Sequence, residues 1–104
     1  MIKIWLDDAR GEPEGWVRTR TPAETIELLK SGQVEVLSLD HDLGVDDTVG
    51  TGYDVLLWLE EEVALERFLS PLPVMMAHTS NSAARPRMEM AIEQIKRLAE
   101  RNQR

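Results

Sequence analysis

Apolar residues in this chain gather into two kinds of pattern. Mostly apolar runs at residues 2–6, 34–39 and 74–77 read as strands apolar on both faces, the signature of a parallel sheet. Trp16 to Arg18 reads as a further short strand, reached through a polar, Gly- and Pro-bearing connection from Ala9 to Gly15. The segment TPAETIELLKSG reads as a helix: Thr21 can cap, Pro22 suits the first turn, Glu24 completes a capping box and Gly32 suits the stop. Thr51, with Asp54 three residues on, can cap a second helix in which Val55, Leu56, Leu59 and Val63 keep the helical period, with Ser70 and Pro71 ending it. Pro86 suits the first turn of a last helix whose Met88, Ala91, Ile92, Ile95, Leu98 and Ala99 line one face, and its tail RNQR is expected to fray.

This order of elements predicts an α/β fold. The connection before the second strand is short for a parallel crossover, so the direction of that strand stays open. With a strand order of 2-1-3-4, right-handed crossovers place the helices after strands two and three on one face, and the terminal helix is expected to fold back over the other.

Composition narrows the function classes. At 104 residues, 42% hydrophobic and 30% charged, the chain has the size and balance of one soluble globular domain. Its apolar runs are far shorter than a membrane span and no signal peptide is visible, so a cytoplasmic location is the default expectation. With no cysteine, a bound metal should be a hard cation held by oxygen or imidazole. A net charge of −7 works against binding long nucleic acid. A small phosphorylated ligand remains compatible, provided a cation or arginine offsets the carboxylates.

The chemistry concentrates where the apolar runs end. They break into Asp7 and Asp8, into Asp40, His41 and Asp42, and into His78, Thr79, Ser80 and Asn81. Parallel sheets keep ligand sites beyond the carboxyl ends of their strands, which predicts a single rim for all of these. His41 and His78 can act as acid and base on a phosphodiester; the alternative is that each ring caps a strand and bonds to backbone. Converging carboxylates call for a cation, magnesium being the simplest. Asp40 and Asp42 can instead hold loop turns, and Asp46 and Asp47 are expected to be solvated. Thr79, Ser80 and Asn81 can cradle a phosphate and Arg10 or Arg85 can pair with it, although turn, cap and charge-balancing roles also fit. Trp5, Trp16 and Trp58, like Met75, Met76, Met88 and Met90, are read as packing.

The residues resemble receiver domains: WLDD supplies the acidic pair, LSLD the aspartate after strand three, and TGYDVLLWL the Gly that opens the next helix. In place of the receiver's threonine stands His78, a histidine follows Asp40, and the fifth strand with its lysine is missing. A closer resemblance is to cyclic-phosphate processing receiver domains, through WLDDAR, the P and GW nearby, SLDHDLG, GYD, and HTSN followed by an arginine and ME, from Met1 to about Ile95. It implies a three-layer, receiver-like (flavodoxin-like) α/β sandwich, truncated relative to a full receiver, with a mostly parallel four-stranded sheet of order 2-1-3-4 and three helices, as one domain over residues 1–104. It also implies phosphoesterase-like processing of a cyclic phosphate or phosphodiester. His41, His78 and Asp40 would be catalytic, a magnesium or manganese ion would sit on Asp7, Asp8, Asp40 and Asp42, and Thr79, Ser80, Asn81, Arg85 and Arg10 would hold a ligand such as a cyclic nucleotide. The runner-up is a non-catalytic module binding a cyclic nucleotide or a protein partner; a third reading keeps Asp40 as a phosphoacceptor.

Overall fold

Local capping chemistry starts the first two helices where the chain predicts them. A computed structural model describes residues 1–44 and 49–103; Asp46 and Asp47, and the tail residue Arg104, lie outside the described residues. The elements are β1 (Ile2–Leu6), β2 (Val17–Thr19), α1 (Pro22–Lys30), β3 (Val34–Leu39), α2 (Gly52–Ala64), β4 (Val74–Ala77) and α3 (Ala84–Asn102). Thr21 Oγ1 accepts the Glu24 amide at 3.2 Å ahead of α1, and Thr51 forms a capping box with Asp54 ahead of α2. α2 stops at Ala64, six residues short of Ser70. Glu66 takes a left-handed φ of 57°, and the Arg67 and Phe68 amides return to the Glu62 carbonyl at 2.8 and 3.2 Å. No glycine marks that turn, so the sequence pattern overruns it. α3 extends to Asn102, whose side-chain amide donates to the Val63 carbonyl at 2.7 Å; that bond ties down the part of the tail expected to fray.

The sheet has the order β2-β1-β3-β4, with every neighbouring pair parallel. β2 is therefore parallel to β1 despite the short connection. On one face Ile4, Leu6, Leu37 and Leu39 are fully buried against Leu29, Val55, Leu56, Leu59, Met88 and Ile95 of the helices. Each such side chain contributes about 1.5–3 kcal/mol of burial free energy.

The terminal helix departs from expectation. Among the described residues α3 packs beside α2 and against the edge strand β4 and does not close the opposite face. The reason is directional: a chain leaving β4 as it left β2 and β3 meets the exposed flank of α2 first, and Met88, Ala91, Ile92 and Ile95 continue that core. The opposite face is covered over β1 by the 7–16 connection. There Trp5 Nε1 donates to the Arg10 carbonyl at 3.3 Å and Trp16 meets Trp5 edge-on at 5.9 Å. Farther out, Val74 and Met76 remain 59% and 42% exposed. Among the described residues no helix is long and apolar enough to cross a membrane.

Candidate functional site

The strand ends carry their functional residues one step past the ladder. The Asp7 amide donates to the Thr19 carbonyl (3.1 Å), Asp40 to Leu6 (2.9 Å) and His78 to Leu39 (2.9 Å), so each is fixed by the sheet itself. Parallel strands start together and end together, and three chemically loaded ends therefore share one rim. Gly52 lets α2 begin against that rim: a Cβ there would lie 1.8 Å from the Asp40 carbonyl oxygen.

Asp7, Asp8 and Asp40 converge. One carboxylate oxygen from each lies within 4.8 Å of the others, with Asp7 and Asp40 buried and Asp8 half-buried. Such a set of oxygen donors could hold a metal cation, which would also relieve their mutual repulsion. Asp7 is the most constrained. Its Oδ1 accepts the Ala9 and Arg10 amides at 2.9 and 2.8 Å, while Oδ2 faces His78 Nε2 at 3.1 Å and Arg10 Nε at 3.4 Å. Burial pushes its carboxyl upward, but the two amides and the His78 ring outweigh that and hold it below the ordinary carboxylate value.

The two imidazoles occupy different settings. His78 is sandwiched: its Nδ1 lies 2.7 Å from Ser38 Oγ, its Nε2 meets Asp7, and its ring stacks on Trp5 with centroids 3.7 Å apart and planes at 3°. Burial pushes His78 below the usual imidazole value, against the opposing pull of Asp7 and Asp40. His41 is held by its backbone amide on Asp40 Oδ1 (2.8 Å) and by its Nδ1 on Asp42 Oδ1 (2.7 Å). Asp42 thus lies outside the three-carboxylate cluster. The hydrogen bond from His41, opposed by slight burial and aided by the Asn81 amide, holds its carboxyl below the ordinary value.

The expected phosphate cradle is mostly committed within the chain. Thr79 is buried and accepts the Asn81 amide on Oγ1 at 3.0 Å. Asn81 spends its Oδ1 on the Ala83 and Ala84 amides (3.1 and 3.0 Å) and its Nδ2 on Asp42 (3.3 Å), linking the start of α3 to the His41 pair. Arg85 donates to the Thr79 carbonyl. Ser80 and Arg10 are exposed at the rim. Sequence reasoning missed Ser38, the stacking partner role of Trp5 and the close approach at Gly52. A hydroxyl between the apolar Leu37 and Leu39 of β3 was the signal for Ser38.

No curated protein and no solved structure matches this chain. The family model of the cyclic-phosphate processing receiver domain matches residues 2–94. That span takes in all four strands, α1, α2, most of α3 and every rim residue described above, and the chain belongs to the cyclic-phosphate processing receiver domain family.

Proposed function

We propose that the rim is a phosphoesterase-like site that opens a cyclic phosphate or phosphodiester. The observation that carries this is the meeting of three carboxylate oxygens within 4.8 Å of one another beside two histidines, the His78 ring on Asp7 and the His41 backbone amide on Asp40. Asp7, Asp8 and Asp40 would hold magnesium or manganese, whose charge neutralises non-bridging phosphate oxygens and permits an anion to enter an acidic crevice. Asp42 accepts from His41 Nδ1 and leaves Nε2 without a partner among the described residues, the arrangement of a base that takes a proton from attacking water. As the new P–O bond forms and the opposite ester bond breaks, the freed ester oxygen takes a proton from the imidazolium form of His78, which burial disfavours at rest and which reverts on donation to the neutral ring held by Asp7 and Ser38. Arg10, with 52% of its side chain exposed, and Ser80 are the groups best supported for contact with phosphate oxygens.

A binding module that recognises the same ligand without turning it over is the second reading. It draws support from the number of rim groups, Thr79, Asn81 and Arg85 among them, already committed to internal hydrogen bonds. Incubation with 2′,3′- and 3′,5′-cyclic nucleotides, in magnesium, manganese or chelator, separates the two. Metal-dependent monophosphate product supports the enzyme; ligand binding with no product supports the module and sinks the enzyme reading.

A further inference from the structure

The two rings differ in what faces Nδ1, and that difference fixes where each carries its proton. An ionised carboxylate only accepts, so His41 carries its proton on Nδ1, toward Asp42 Oδ1 at 2.7 Å, and presents a bare Nε2. His78 is arranged in the opposite sense. Its Nε2 faces the Asp7 carboxylate at 3.1 Å and must carry the proton, which leaves Nδ1 to accept from the Ser38 hydroxyl at 2.7 Å. We infer that Asp42 and Ser38 are positioning residues that set the two rings in opposite tautomers, His41 with a bare Nε2 that can accept a proton and His78 with its Nε2–H on Asp7.

Both are built for that task. Ser38 is fully buried on β3, registered between Trp5 and Met76, and His78 is the one side chain its hydroxyl contacts among the described hydrogen bonds. The Trp5 stack at 3.7 Å prevents the His78 ring from tilting away from either partner. Asp42 is in turn oriented by Asn81 Nδ2 at 3.3 and 3.4 Å, and Asn81 is anchored to the first amides of α3. The use of His41 as a base rests on the phosphoesterase reading, but the ring states do not.

Long-range proton–nitrogen NMR of histidine-labelled protein at pH 7.5 reads them directly, with His41→Gln and His78→Gln assigning the signals. The expected result is a protonated Nδ1 on His41, the tautomer free histidine disfavours, and a protonated Nε2 on His78. Asp42→Ala should move the His41 proton to Nε2 without changing His78. Ser38→Ala should shift the His78 Nδ1 resonance to that of an unbonded nitrogen and leave His41 alone, and Ser38→Thr should restore it. On a substrate that is turned over, Asp42→Ala should lower kcat about tenfold or more with KM within about twofold. A wild-type His41 protonated on Nε2, a His78 protonated on Nδ1, or an Asp42→Ala protein with His41 unchanged would overturn the inference. Ring states as stated with no turnover of any cyclic nucleotide would instead refute the phosphoesterase reading alone.

Discussion

Substituting Gly52 by alanine tests how tightly the fold and the site are joined. The added methyl would meet the Asp40 carbonyl oxygen at 1.8 Å and its carbon at 2.9 Å, whereas real Cβ atoms essentially never come within 3.0 Å. The start of α2 and the end of β3 must therefore part by at least about 1.2 Å, a shift that packed interiors absorb only at a cost of about 1–3 kcal/mol. Two further losses follow: the Gly52 amide leaves the His41 carbonyl, 3.2 Å away, and Asp40 strains its bond to Leu6 at 2.9 Å. Together about 2–4 kcal/mol is expected, and at roughly 4–8 °C per kcal/mol for a domain of this size the melting temperature should fall by about 8 °C or more. Gly11→Ala is the control, since nothing lies within 4 Å of a Cβ there. Melting followed by far-ultraviolet circular dichroism gives the stabilities, and manganese titration of the folded variants gives the second readout. Moving Asp40 by more than about 0.5 Å should weaken cation binding at least tenfold. A Gly52→Ala protein that melts within about 2 °C of wild type, or binds manganese as tightly, would refute this coupling.

Other perturbations have distinct signatures. His41→Gln should lower kcat by about 10²–10⁴-fold with little change in stability, measured by initial rates on a cyclic nucleotide. Asn81→Ala removes the acceptor for the Ala83 and Ala84 amides as well as the donor to Asp42, and urea unfolding should show a loss of about 1–2 kcal/mol. Acid should destabilise the fold in two stages. Because burial lowers the His78 value in the folded state, stability should start to fall as pH drops below the unfolded value of about 6.5. Because Asp7 is also held low, its contribution is complete above about pH 4 and is lost as pH falls through its folded value. Urea midpoints from pH 7.5 to 3 should trace both stages, and His78→Gln should remove the first; a midpoint unchanged between pH 7.5 and 5 would contradict that stage.

What the sequence revealed follows from the range of the forces involved. β3, β4 and the caps at Thr21 and Thr51 depend on neighbours a few residues away, so their limits could be read locally. The convergence of Asp7, Asp8 and Asp40 was legible because strand ends in a parallel sheet align whatever the loops do. The partners of each histidine were not legible. His78 meets Ser38 and Asp7 across 40 and 71 residues of chain, and His41 turned to its own neighbour Asp42, which the pattern had placed with the metal-binding acids. The position of α3 was also hidden, because its apolar stripe fits the flank of α2 as well as it would fit a bare sheet face. The α2 stop at Glu66 rests on a left-handed residue that is not glycine.

The most direct measurement is phosphorus NMR of a 2′,3′- or 3′,5′-cyclic nucleotide incubated with the protein, with magnesium or manganese and again with chelator, alongside His41→Ala and His78→Ala. Cyclic phosphate signal should convert to monophosphate only with protein and metal together, and each histidine variant should slow it at least a hundredfold or about that. Conversion that proceeds undiminished in both variants, or no conversion by the wild-type protein with either metal, would contradict the account.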